Sequence, residues 1–251
     1  MNHNSYSYLE VQVARAVTED RKVQRDGRST KPHAHLLSLP RQGRSREKLD
    51  RLLAAGAQLF GEQGFEGTRI GDVAELGGCS VGVFYQRFSD KDAFFAAVRS
   101  RWIAQALERV EERLDAIPVS TSAPQLLTLF VHEVVSLFRD HLGLIRAFLI
   151  YEADHPESSV PMLELARAIG DRLVGRVFEH EFAAGHSEPA LAIRFGLEVL
   201  RATLVYLALR DAEGPLGLGD ERLAPELVRM LAAYLGVGGA AMAQSTGGDE
   251  R

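Results

Sequence analysis

Three features of this sequence predict an all-α chain. Capping residues recur just ahead of segments whose apolar residues fall at i, i+3 and i+4. No alternating apolar and polar run bounded by hairpin turns occurs anywhere. Between Thr68 and Lys91 two short amphipathic segments flank Gly77-Gly78-Cys79, which is the pattern of a helix-turn-helix.

In the first of those segments Ile70, Val73 and Ala74 form one apolar stripe, with Thr68 placed to cap the helix. In the second, Val81, Phe84, Tyr85 and Phe88 repeat the spacing and Ser80 is the expected N-cap. Gly78 is suited to the left-handed conformation that ends a helix. Upstream, Leu49, Leu52, Leu53, Ala57 and Phe60 line a helix expected to be capped by Ser45 and closed near Gly64, with Phe65 as an anchor in the link to Thr68.

Downstream, Ser89 and Asp92 form a capping-box-like pair ahead of a long helix expected to reach Ile117, before Pro118. Its apolar face carries Phe94, Phe95, Val98, Trp102, Leu107 and Val110. Ser122 with Gln125 marks the next helix, and Ile145 to Tyr151 a shorter one. Ser159 with Pro161, Ser187 and Asp220 precede the last three.

The 251 residues, 46% of them hydrophobic, are enough for one large or two smaller cores. A single cysteine excludes an intrachain disulfide. The polar start from Met1 to Arg28 has no secretory pattern. Glu198, Arg201 and Arg210 interrupt the apolar stretch around Leu197 to Leu209, so no membrane span is expected and the expected compartment is the cytoplasm. The net charge of −5 is unevenly spread. Residues 1 to 48 hold ten Lys and Arg against five Asp and Glu, leaving −10 for the remainder. That asymmetry suits a DNA-contacting end joined to an acidic body. The basic run of Arg21, Lys22, Arg25, Arg28 and Lys31 reads as a solvated tail, or as an arm that tracks phosphates or enters a minor groove.

Several other patterns carry chemistry only in a different context. Gly78-Cys79-Ser80-Val81-Gly82 spells G-x-S-x-G, but its flanks are helical rather than a strand-to-helix turn of an α/β sheet, so no catalytic serine is expected. Cys79 reads as a small hydrophobe, with a redox sensor as the alternative. His33, His35, His132, His141, His155, His180 and His186 contain no metal-ligand spacing, so no metal and no cofactor is expected. Trp102, Phe130, His132, Phe148 and Tyr151 are candidates for an effector pocket between helices, the competing reading being ordinary packing.

Phe65, Thr68, Val73-Ala74, Gly78, Ser80, Gly82, Phe84-Tyr85, Phe88 and Lys91, preceded by LLAAGAQLF, resemble the N-terminal signature of TetR-family transcriptional regulators over about residues 46 to 95. The resemblance implies a three-helix DNA-binding domain followed by a larger helical ligand-binding and dimerisation domain. The divisions then expected are a mostly disordered basic extension (1–44), the helix-turn-helix domain (45–90), an effector and dimerisation domain (91–240) and a tail (241–251).

It further implies a homodimer that binds a roughly palindromic operator, with the Ser80 to Phe88 helix in a major groove and half-sites ~34–36 Å apart. Tyr85 and Lys91 then contact phosphates, and Thr68 is similarly placed. The last two helices pair in the dimer, with Gly196, Ala202 and Ala208 permitting close approach. Val81 and Val83 depart from the family pattern, which often has a basic and a small hydroxyl residue there. Valine offers only apolar contact, for example to a thymine methyl, so phosphate affinity leans on Arg87, Arg69, Arg44, Arg46 and the upstream arm. The function expected is a ligand-responsive regulator, a repressor released by a small-molecule effector, and not an enzyme. The alternative is a helical sensor or enzyme whose N-terminal module is vestigial or binds protein.

Overall fold

The computed structural model describes residues 39–118, 120–156, 162, 164–165, 167–172, 186–210 and 216–237. The basic run of the extension, Ser159, Pro161 and the C-terminal tail lie outside these. Among the described residues every regular element is a helix. We number them α1 (Leu39–Gly67), α2 (Ile70–Leu76), α3 (Val81–Tyr85), α4 (Lys91–Asp115), α5 (Ala123–Asp140), α6 (Leu142–Asp154), α7 (Pro189–Leu209) and α8 (Leu223–Leu235). The chain divides into two compact units between Ala104 and Gln105, within α4.

The first unit is built around phenylalanine. Leu52, Leu53, Leu59 and Phe60 of α1, Val73 and Ala74 of α2, Phe84 of α3, and Phe94, Phe95 and Val98 of α4 are all buried. Phe60 meets Phe95 edge-on at 4.7 Å, Phe94 meets Phe84 at 5.0 Å and Phe88 at 4.9 Å, and Phe65 meets Phe95 at 5.0 Å. These edge-to-face contacts are the favoured geometry for aromatic quadrupoles, so they add to the stabilisation from burial. α4 approaches α1 at Gly56, where an added Cβ would stand 2.5 Å from Phe94 Cζ. Leu49 and Ala57, expected on the buried face, are only half-buried, while Ala55 and Gly56 take the interior.

Three helix starts in the first unit differ from expectation. α1 begins at Leu39, six residues before Ser45, because Pro40 is tolerated in a first turn and nothing between it and Gly64 breaks the helix. Gly64 does interrupt it, at φ +71°. The N-cap of α2 is Arg69 rather than Thr68, since the Thr68 hydroxyl donates instead to the Gly64 carbonyl at 2.7 Å. Before α4 the capping carboxylate is Asp90, which accepts from the Ala93 N–H at 2.7 Å and from the Ser89 hydroxyl. The Ser89 hydroxyl, expected to take part in a box with Asp92, donates to Asp90 at 2.9 Å. α4 ends at Asp115, with Ile117 N–H closing a shorter turn onto Leu114.

In the second unit α5, α7 and α8 share one core that includes Leu126, Phe130, Val131, Leu200, Leu204, Leu227 and Leu231. The expected box at α5 is present: Gln125 Oε1 accepts from both the backbone and the hydroxyl of Ser122. α7 starts at Pro189 with Glu188 as its N-cap, one residue after the expected Ser187. Asp220 organises the approach to α8 by accepting from the Arg222 guanidinium and from the Arg222 and Leu216 N–H groups, which hold its carboxyl well below the usual range. Arg146 donates to the Ala208 carbonyl at 2.8 Å and Arg139 to the Leu218 carbonyl at 3.0 Å, tying α6 and α5 to the two ends of the α7–α8 connection.

α7 is apolar on both sides. Ala192, Ile193, Gly196, Leu200, Leu204 and Ala208 are buried. Leu191, Phe195, Tyr206 and Leu209 are about half exposed. At about 100° per residue these four fall within about 60° of arc, and Ala202, also exposed, lies among them. Phe195 meets Tyr234 of α8 at 5.5 Å, and Met230 continues the exposed strip on that helix. Gly196, expected to admit a second chain, instead admits Leu231 of its own, whose Cδ2 would stand 3.2 Å from an added Cβ. Ala208 is likewise turned inward, leaving only Ala202 of the three small residues outward.

Phe94→Ala should cost about 3–5 kcal/mol, because the surrounding rings hold the cavity open. Gly56→Ala should also destabilise, although alanine is favoured over glycine by about 1 kcal/mol inside a helix. Chemical denaturation of the first unit, followed by its circular dichroism in the full chain, checks both.

Candidate nucleic-acid interface

α2, the turn and α3 are joined by backbone hydrogen bonds that leave little freedom. The Cys79 N–H donates to the Ala74 carbonyl at 2.9 Å and the Gly78 N–H to Glu75 at 3.0 Å, with Gly78 at φ +68°. That is a Schellman closure, and only a residue at ease in the left-handed region completes it. Ser80 then caps α3 as expected, its hydroxyl accepting from the Val83 N–H at 3.3 Å. α3 itself is a helix of five residues, but the Gln86 N–H donates to Gly82 and the Phe88 N–H to Phe84, each at 3.1 Å, carrying helical geometry on to Phe88.

The apolar stripe expected on this segment splits in two. Phe84 and Phe88 are buried in the aromatic core. Val81 is 42% exposed and Tyr85 54% exposed. The outer surface of the segment is thus Ser80, Val81, Gly82, Tyr85 and Gln86, flanked by half-buried Val83 and Arg87. A segment held by two rings on one side with exposed side chains on the other has the geometry of a groove reader.

Over residues 52–98 the chain matches the family described as bacterial regulatory proteins, tetR family. The segment from residue 52 to 98 is therefore a tetR-type N-terminal module. YerO, an uncharacterized HTH-type transcriptional regulator of Bacillus subtilis (strain 168), is 29% identical over 115 residues, 45% of this chain and 38% of YerO. YvdT, of the same strain and description, is 28% identical over 67 residues, 27% of this chain and 34% of YvdT. The chain therefore spans little more than a third of the length of these curated relatives. The fold extends further: a TetR-family transcriptional regulator structure from Mesorhizobium loti MAFF303099 superposes with a TM-score of 0.62 at 18% identity, over 77% of this chain and 95% of that one.

The sequence-expected residues fall into four groups, the first being Val83 and Arg87, which are half-buried. Arg46, Arg69, Ser80, Val81 and Tyr85 are exposed on or beside the helix-turn-helix, and Arg44 lies on α1. Lys91 is half-buried, its Nζ donating to the Glu66 carbonyl at 3.3 Å and lying 4.4 Å from the centre of the Phe65 ring. Thr68 is only 2% exposed, with its hydroxyl given to Gly64 and its N–H to Phe65. Thr68 therefore shapes the entry to α2 rather than presenting a side chain outward. Gln86 is exposed and was passed over by the apolar pattern. Its signal was available in the sequence: at 100° per residue it stands opposite the midpoint of Phe84 and Phe88.

The effector candidates are not gathered by one element. Trp102 and Phe148 are buried, Phe130 belongs to the core of the second unit, and Tyr151 stacks on His155 at 4.1 Å. His132 is exposed, its Nδ1 2.8 Å from the Thr128 carbonyl of its own helix, so it faces away from Phe130. Among the described residues no three His, Cys, Asp or Glu are placed to hold a metal ion, and no helix is long and apolar enough to cross a membrane. The G-x-S-x-G string lies on the turn between two helices, where its serine is an N-cap. Cys79 is half-buried in the same turn.

Gly78→Ala should cost about 1–2 kcal/mol through the left-handed strain, and Gly78→Asn less, since asparagine tolerates that region. Paired thermal melts of the two variants read the difference.

Proposed function

We propose that this chain is a DNA-binding transcriptional regulator that acts as a homodimer, with α3 in the major groove of each operator half-site. The observation that carries the reading is the outward face of the 80–88 segment. Its inner rings Phe84 and Phe88 are buried, while Val81, Gly82, Tyr85 and Gln86 are exposed on the other side. Arg69 and Arg87 flank it and Arg44 and Arg46 lie upstream, which supports phosphate contact around the reader. Tyr85 stands at the edge of the exposed face, where a hydroxyl reaches a phosphate while its ring rests edge-on against Phe84 at 5.2 Å.

Dimerisation is supported by the exposed strip on α7 and α8. Exposed large apolar side chains gathered on one face, here interrupted by Glu198, are typical of a helix-to-helix interface. In this reading the contact is made by Leu191, Phe195, Ala202, Tyr206 and Leu209 with Met230 and Tyr234, and Gly196 and Ala208 serve the subunit interior. The regulator is a repressor, released when a small-molecule effector binds the DNA-incompetent arrangement more tightly than the competent one. An effector without that difference shifts nothing. α4, which contributes residues to both units, is the element through which such a shift is carried.

Tyr85→Ala should weaken binding to all duplexes alike, whereas Val81→Ala and Val83→Ala should change sequence preference. Fluorescence anisotropy at fixed salt on a selected site and on scrambled DNA separates the two, and uniform loss from the valine changes would overturn the readout assignment. Phe195→Glu should convert the dimer to a monomer by light scattering without lowering the helical content, and should abolish tight binding to a two-half-site duplex while sparing weak binding to one. A wild-type monomer at micromolar concentration would refute the dimer.

A further inference from the structure

The outer face of the reading segment holds a detail that its own fold does not require. Phe84 and Phe88 point into the core, and at 100° per residue the residues farthest from them are Gly82 and Gln86, one turn apart. Gly82 is not held by backbone strain, since its φ is not positive, and a Cβ placed there would meet only the Ser80 hydroxyl, at 3.9 Å. Glycine inside a helix is disfavoured relative to alanine, so the fold alone would gain from a side chain at this position. The missing side chain instead opens the outermost line of the helix to close approach from outside. Gln86 stands beside that opening, exposed, on a segment whose other outward groups are a capping serine, valine methyls and a tyrosine.

Resting on the DNA-binding reading above, we propose that Gln86 reads an adenine in the major groove, with the bare backbone of Gly82 letting the helix sink far enough for its amide to reach the base edge. The carboxamide is matched to adenine and to no other base in a bidentate sense: its N–H donates to N7 while its oxygen accepts from the N6 amino group. Guanine presents two acceptors there and calls for arginine or lysine, which this face lacks among Ser80, Val81, Gly82, Tyr85 and Gln86. Val83, about 60° round the helix from Gln86, sets methyl groups beside the amide, and Val81 adds an exposed apolar side chain further round the segment, both suited to the C5-methyl of thymine. The half-site therefore centres on A·T base pairs, read by one amide and by apolar contact.

The test begins with selection of a duplex from a random pool by the full-length wild-type chain. Each adenine of the selected site is then replaced in turn by 7-deazaadenine, which keeps the base pair and removes only the N7 acceptor. One adenine per half-site should show an affinity loss on the order of tenfold. Gln86→Ala should lose affinity for the unmodified site and become indifferent to that replacement. Exchange of a neighbouring thymine for uracil should cost about fourfold, the worth of one buried methyl, and should do so in wild type and Gln86→Ala alike. Gly82→Ala should keep or raise the melting temperature yet weaken binding, since it adds bulk only to the outer face.

A flat 7-deazaadenine profile, or one that persists unchanged in Gln86→Ala, overturns the proposal while leaving DNA binding intact. A loss from Gln86→Ala that is equal on all sequences would make it a phosphate contact and overturns the proposal in the same way. Failure to enrich any sequence from the pool overturns the DNA-binding reading itself, and this inference with it.

Discussion

The packing of Phe84 and Phe88 against Phe94 is the contact on which the rest of the first unit depends. A five-residue helix has no stability in water, because nucleation costs more than so few hydrogen bonds return. α3 exists because Phe84 and Phe88 are driven into a pocket floored by Phe94 and Phe60, and because Ser80 and the Schellman turn fix where it starts. The same contact sets its rotation. With two rings pinned inward, every other side chain of the segment has a determined direction, and the outward set of Val81, Gly82, Tyr85 and Gln86 follows.

That constraint explains why polar groups near the turn are spent as they are. Thr68, Lys91 and Asp90 each surround the aromatic core and each closes a backbone gap: Thr68 at the Gly64 break, Lys91 at the Glu66 carbonyl, Asp90 at the start of α4. They are framework residues whose hydrogen bonds keep the entry and exit of the helix-turn-helix in register with the rings. Cation–π contact between Lys91 and Phe65 joins that frame to the core.

The second unit uses a different division of labour. Its α7 carries one apolar face for its own core and another for the outside, with the Glu198–Arg201 ion pair along the exposed side. Arg109 draws together Glu133, Ser136 and Asp140, and Arg146 and Arg139 reach backbone carbonyls at the ends of the α7–α8 connection. The solvent-facing pairs contribute little to stability by themselves. Arg109 fastens α4 to α5, while Arg146 and Arg139 fasten α6 and α5 to the ends of the α7–α8 connection.

The sequence by itself determined the all-helical class, the turn with left-handed Gly78, and the Ser80 and Ser122 caps, because each rests on local rules: helical period, backbone permissiveness and short-range hydrogen bonds. It did not determine which side of a doubly apolar helix is buried. The stripe of Val81, Phe84, Tyr85 and Phe88 looks uniform until Phe94 selects two of its members, and Gly196 and Ala208 look like contact residues until Leu231 and the shared core claim their side of α7. The capping choices of Thr68 and Asp90 were also open, since a hydroxyl or carboxylate at a helix start has several amides and carbonyls in reach. Those outcomes depend on contacts between residues distant in sequence, and only the packed tertiary structure decides among them.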